Sequence, residues 1–327
     1  VDTYKANHPR TYLVSKDVKE VTGKEIFKLV GTEKIDLVAG CPPCQGFSQL
    51  TAKWKRKDPR NELALEMARL VEEIKPRMVM MENVPGIMNT RKGRRILNRF
   101  VERLKDAGYK VTMDILQMAD YGVPQSRRRF VLLAGRGFEI PLPKKTHARK
   151  PDKKSVKKWV PIIDAIRGLG RPIKFSSFAK QGAPKRVNWH VVSDLKGISL
   201  QRLKAIGEGQ DRTALPEELR PNCHKDTNKG FSNVYGRMKW GDVAPTMTRG
   251  FTSPCKGRFG HPSAHRTISI REAADIQTFP RWYKFETDQL ETARDLIGNA
   301  LPPKFARQAG GACINALRMR KEKKNAR

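Results

Sequence analysis

The first 136 residues alternate short apolar runs with amphipathic segments, and this alternation limits the fold more than any other feature of the chain. Residues 35–40, Ile-Asp-Leu-Val-Ala-Gly, form an apolar run closed by glycine and followed by Cys41-Pro42, the pattern of a buried parallel strand. Leu63, Met67, Leu70, Val71 and Ile74 recur at helical spacing and predict a helix over 63–74, stopped before Pro76. Residues 78–81, Met-Val-Met-Met, predict a second strand, broken by Pro85-Gly86. A basic amphipathic helix is expected over 95–105, closed at Gly108, and strands over 109–118 and 130–134. Strand and helix in turn predict a three-layer α/β domain with a mostly parallel sheet.

After residue 136 the periodicity fades while Gly, Pro and Lys accumulate. Residues 144–158 hold eight Lys/Arg against one Asp, a dense basic arm or linker. Over the whole chain 66 Lys+Arg stand against 33 Asp+Glu, a net +33, which makes a polyanion the default partner. The 130 residues from 136 to 265 carry +17 and the other 197 carry +16, so the middle is the more basic part per residue. Helical patterns return at 270–276 and 303–317, before an expected frayed basic tail from 318 to 327. No apolar run of about 18 residues occurs, so no membrane span is expected. Five scattered Cys do not form a disulfide framework and favour a reducing compartment.

The sharpest local feature is Gly40-Cys41-Pro42-Pro43-Cys44-Gln45-Gly46-Phe47-Ser48, directly after a predicted strand. Loops at the carboxyl ends of strands in open α/β sheets are where ligands bind. A cysteine there meets substrate, and positive charge nearby eases loss of its proton. Cys41 and Cys44 also have the spacing of a metal pair or a redox dithiol, and both could be small core residues. A zinc site would want a second close pair, whereas Cys223 and Cys255 are far apart in sequence, so no metal is expected.

Four further segments accompany this one. They are Glu82-Asn83-Val84-Pro85-Gly86, Gln125-Ser126-Arg127-Arg128-Arg129, Arg266 with the block from Arg271-Glu272 to Phe279-Pro280, and Gly298-Asn299-Ala300-Leu301-Pro302-Pro303. Singly each has a bland reading: a surface carboxylate, a solvated turn, a charged helix start, a helix prelude. Together and in this order they resemble the motifs of the cytosine-5 DNA methyltransferases, bacterial and phage modification enzymes, over about residues 1–318. The resemblance implies a Rossmann-like methyltransferase domain over 1–136, a smaller irregular target-recognition domain over 137–265, and a return to the catalytic domain over 266–327.

It also implies a chemistry. C5 of cytosine is a weak nucleophile, and a thiolate adding at C6 makes the ring enamine-like. Cys44 holds the matching position and Cys41 does not. Glu82 would act at N3, with its pKa raised by a dry pocket. Arg127 and Arg129 would hold the cytosine O2 and the adjacent phosphate. The methyl group would come from S-adenosylmethionine, contacted by Asp17, Val18, Pro43, Asn299 and Leu301. A carbon inside the base stack is reached only if the nucleotide is flipped out of the duplex.

One part of the pattern is absent from the sequence. The family opens with a Phe-x-Gly-x-Gly loop and an acidic strand end, whereas this chain starts at Val1 with a segment resembling the helix that follows them. The expectation is a truncated member that by itself binds S-adenosylmethionine weakly or not at all, unless another chain supplies the first strand. Double-stranded DNA is the expected partner, with a cognate restriction endonuclease acting on the same site. The enzyme should work as a monomer on DNA, without membrane association, in a cytoplasmic, nucleoid-associated setting. Two alternatives are a DNA-binding protein without catalysis and a tRNA cytosine-5 methyltransferase. The Cys-Phe-Thr signature of the tRNA branch does not occur.

Overall fold

The computed structural model describes residues 1–43, 62–152, 156–181, 188–225 and 233–325. In chain order the main elements are α1 (Asp2–Asn7), α2 (Gly23–Val30), β1 (Leu37–Gly40), α3 (Leu63–Ile74), β2 (Met78–Asn83), α4 (Gly86–Asn89), α5 (Arg91–Asp106), β3 (Tyr109–Gln117) and β4 (Arg128–Arg136). There follow β5 (His147–Ala148), β6 (Lys157–Lys158), α6 (Ile162–Ile166), β7 (Ile173–Lys174), α7 (Phe175–Gln181), β8 (Val191–Val192), α8 (Gly197–Lys204), α9 (Ile270–Ile276), α10 (Leu290–Asn299) and α11 (Pro303–Asn325). Two compact units emerge, each assembled from several stretches of chain.

One unit comprises 10–117, 128–144 and 306–327 and holds the main sheet, in the order β1-β2-β4-β3. β1 and β2 are parallel, with Leu37 opposite Met78 and Gly40 opposite Met81. β4 is antiparallel to both β2 and β3, so three strands run one way and β4 alone is reversed. That is the α/β sheet expected from the sequence. The Met78–Met81 run has no polar alternation because β2 is buried along its whole length. α3 offers Ala64, Met67, Ala68, Val71 and Ile74, and α5 offers Ile96, Leu97, Phe100 and Leu104, to the buried core. α3 ends at Lys75, which adopts the left-handed conformation (φ 48°) just before Pro76.

The other unit comprises 1–9, 118–127 and 145–305. Its core gathers Trp189, Val191, Phe251, Phe259, Ile268, Ile270, Ile276 and Ile297 from widely separated positions. α9 starts from a full capping box: Ser269 Oγ accepts from Glu272 N, and Glu272 accepts from Ser269 N. α1 is anchored by reciprocal bonds, Asn7 Nδ2 to Lys284 O (2.7 Å) and Lys284 N to Asn7 Oδ1 (2.9 Å). The units divide the chain elsewhere than at residues 136 and 265, because 118–127 and 266–305 pack with the middle region. No helix among the described residues is long and apolar enough to cross a membrane.

Candidate active site

β1 and β2 are neighbouring parallel strands, and the loops leaving both carry motif residues. Cys44 itself lies outside the described residues; Cys41 and Pro43, just before it, are exposed. The loop is held from below by Asn83, the last residue of β2. Buried Asn83 donates from Nδ2 to Pro42 O at 3.1 Å, while its Oδ1 accepts from Val84 N at 2.9 Å. One amide side chain thus joins two strand-end loops, a role the sequence reading did not assign to it.

Glu82 sits on β2 opposite Val131 of β4, and Arg129 lies two residues along β4 from that partner, hence on the same face of the sheet. Arg129 Nε meets Glu82 Oε1 at 2.9 Å, with side-chain exposures of 13% and 10%. Arg129 Nη1 also donates to Arg128 O at 2.8 Å. A carboxylate and a guanidinium placed together near the end of a strand, and largely out of water, form a polar pair able to engage an uncharged ring.

Arg127 is placed differently from the expectation that it holds substrate. It is 2% exposed and belongs to the unit of 145–305. Its Nη1 donates to Met247 O (2.8 Å), and its Nη2 to Ala300 O (3.1 Å) and Gly298 O (3.4 Å). The same turn is gripped by Gln277, whose Nε2 donates to Ile297 O (2.7 Å). Gln277 Oε1 in turn accepts from Gln125 Nε2 (2.9 Å), and Gln125 Oε1 accepts from Met247 N (2.8 Å). Gln125 and Arg127 therefore clamp main chain, and the buried positions of Gln125 and Gln277 were not foreseen. Gly298 is required in that turn, since a Cβ would stand 2.7 Å from Arg249 N and 2.8 Å from Thr248 C.

The expected cofactor contacts fall in both units. Asp17 is exposed and caps a short turn, its Oδ1 accepting from Lys19 N at 3.0 Å. The Val18 carbonyl accepts from Arg69 Nη2 at 3.0 Å. Asn299 is exposed and Leu301 half-buried, at the turn that Arg127 holds. Beside it opens a cavity of about 400 Å³ lined by His8, Phe279, Tyr283, Phe285, Ala300 and Leu301. Apolar and aromatic walls beside an exposed amide suit an uncharged heteroaromatic ring with hydrogen-bonding edges. No group of three His, Cys, Asp or Glu placed to hold a metal occurs among the described residues.

Residues 1–315 match the C-5 cytosine-specific DNA methylase family. The type II methylase M.HgiDII of Herpetosiphon aurantiacus is 36% identical over 308 residues, covering 93% of this chain and 82% of that one. Type II methyltransferase M.XorII of Xanthomonas oryzae pv. oryzae is 32% identical, covering 98% and 78%. A solved prophage-encoded chain from Escherichia coli, described as a candidate DNA modification methyltransferase, superposes with a TM-score of 0.70 at 23% identity, covering 97% and 90%. A family match over nearly the whole length, with relatives above 30% identity, places this chain in the C-5 cytosine-specific DNA methylase family.

Proposed function

We propose that this DNA cytosine-5-methyltransferase transfers a methyl group from S-adenosylmethionine to a flipped-out cytosine in a specific duplex sequence, through a covalent bond between Cys44 and C6. The observation that carries the reading is the Glu82–Arg129 pair on β2 and β4, next to an Asn83 that holds the loop leading to Cys44.

The chain's own residues divide the work as follows. The Cys44 thiolate adds to C6, and the electron pair moves toward C5 and N3. Glu82 hydrogen-bonds or protonates N3, relieving charge that grows in the ring. Arg129 positions that carboxyl and offers its remaining N–H groups to the cytosine O2. After methylation of C5, loss of the C5 proton and expulsion of the Cys44 sulfur restore the aromatic ring. S-adenosylmethionine supplies the electrophilic methyl group when bound, and Asp17, Val18, Pro43, Asn299 and Leu301 are the residues that would hold it. Arg127 acts through the turn of 298–301 as a positioning residue.

Residues 137–265 would recognise the target sequence, their positive charge meeting phosphates and a few side chains reading bases. The enzyme works as a monomer on DNA in a cytoplasmic, nucleoid-associated setting, beside a restriction endonuclease that cuts the same site. Bisulfite sequencing of DNA from cells expressing the gene tests the reading. One sequence context should be protected from conversion, and Cys44→Ala should abolish that protection. A wild-type gene that protects no cytosine contradicts it.

A further inference from the structure

A second cavity, of about 710 Å³, lies wholly within the unit of residues 145–305 and contains none of the residues assigned to methyl transfer. One wall is the pair β7 and β8, with Arg171 and Lys174 exposed on it. The turn from His261 to Arg266 also lines the cavity, and Leu195 and Leu200 supply apolar surface. No carboxylate among the described residues lines it.

The turn is built and not merely present. Arg237, 2% exposed, donates to Leu203 O, Ile206 O and His261 O at 2.6–2.8 Å. It also donates to Ala264 O and to His265 Nδ1. Arginine has no acceptor to offer, so His265 Nδ1 must accept, and the ring hydrogen sits on Nε2. His261 is fixed the same way: its Nδ1 accepts from Ser263 N (3.2 Å) and Ala264 N (3.0 Å). Its Nε2 stands 3.8 Å from Glu272 Oε1, too far for a hydrogen bond. Arg266 is neutralised by a bidentate pair with Glu272, at 2.7 Å for each bond. Beside the Ser193 hydroxyl, the cavity thus presents the His265 ring N–H and two cations, Arg171 and Lys174, as donors.

Among the bases, guanine alone offers two acceptors, N7 and O6, and no donor on its major-groove edge. Adenine and cytosine bring an amino donor there, and thymine a methyl group. We propose that this cavity is a guanine-nucleotide site of the DNA substrate, with the acceptor edge on His265 and Arg171 and the phosphate on Lys174. The inference rests on DNA being the substrate.

The test begins from the duplex that the full chain selects by binding from a random-sequence pool, so it does not depend on methylation, which bisulfite sequencing tests separately; failure to select any duplex would overturn the inference. Each guanine of that duplex is then replaced singly by 7-deazaguanine, which lacks the N7 acceptor, or by 6-thioguanine, which weakens the acceptor at position 6. Binding to the full chain is measured for wild type, His265→Ala and the cavity-filling Leu200→Trp, each confirmed folded by circular dichroism. One guanine should lose about tenfold in affinity for wild type and little for either variant. Inosine, which keeps N7 and O6, should be tolerated at that position. Equal analogue penalties in wild type and both variants would overturn the inference. So would variants that lose affinity for every duplex alike.

Discussion

Asn83 Nδ2 donates to the Pro42 carbonyl across 3.1 Å, and this bond ties the end of β2 to the loop that leaves β1. Cys44, the proposed nucleophile, follows two residues later in the chain. Asn83→Ala removes that bond and the acceptor for Val84 N, a stability loss of about 1–2 kcal/mol. Misplacing the loop should lower kcat about 10- to 100-fold with little change in duplex affinity. Single-turnover methylation beside equilibrium binding separates these two effects.

Glu82→Gln keeps the shape of the site and removes its acid. It should lower kcat about 100-fold or more while leaving the fold intact. Arg129→Met leaves the Glu82 carboxylate buried without its 2.9 Å partner and should cost about 3 kcal/mol of stability. The double variant should recover part of that loss, which urea unfolding of all four proteins measures as a coupling energy.

Arg127→Met should behave unlike Arg129→Met in binding. It leaves the carbonyls of Met247 and Gly298 without the Arg127 donor, while Ala300 O keeps Gln277 Nε2 at 3.3 Å, and should destabilise the protein by about 2–3 kcal/mol. The salt dependence of DNA affinity should not change, because a buried clamp meets no phosphate. A phosphate contact by Arg127 would instead reduce the slope of log K against log salt by about one.

Stability should fall as pH is lowered from 7 toward 4. Burial, helped by the Arg266 guanidinium, pushes His261 down to about 4, from an ordinary histidine value near 6.5. Between those values the unfolded chain binds a proton that the folded chain refuses, so the stabilisation is complete above about 6.5 and is lost on acidification. Each pH unit removes up to about 1.4 kcal/mol, on the order of 3 kcal/mol across the window. His190, also lowered mainly by burial, acts in the same direction. Urea unfolding at stepped pH should show a shallower slope for His261→Gln than for wild type.

The elements with apolar period were legible and their ends less so. The helix expected from 95 starts at Arg91 because Thr90 caps it, Oγ1 accepting from Gly93 N at 3.0 Å, although Arg and Lys hide the pattern there. α11 runs on to Asn325, since a Lys- and Arg-rich tail keeps helix propensity without an apolar stripe. The unit around Trp189 and Phe251 has strands of only two residues, too short for any period to show. In the site, the pairing of Glu82 with Arg129 follows from strand register, which local sequence does not reveal. Arg127 and Arg129 look alike in Arg-Arg-Arg, yet one faces carbonyls and the other a carboxylate. Both side chains are largely out of water, and what each one meets is set by tertiary contacts that leave no local mark.

Methyl transfer by way of Cys44 requires a covalent intermediate on the target cytosine. A duplex carrying 5-fluorocytosine at the mapped target, incubated with the protein and S-adenosylmethionine, tests it most directly. Fluorine at C5 cannot leave as the proton does, so the Cys44 sulfur should stay bound to C6 after methyl transfer. Mass spectrometry under denaturing conditions should find protein joined to methylated DNA, with the linkage at Cys44 and none in Cys44→Ala. Methylation of an ordinary cytosine duplex with no denaturation-resistant adduct on the fluorinated one, or an adduct that persists in Cys44→Ala, would rule out a covalent step at Cys44.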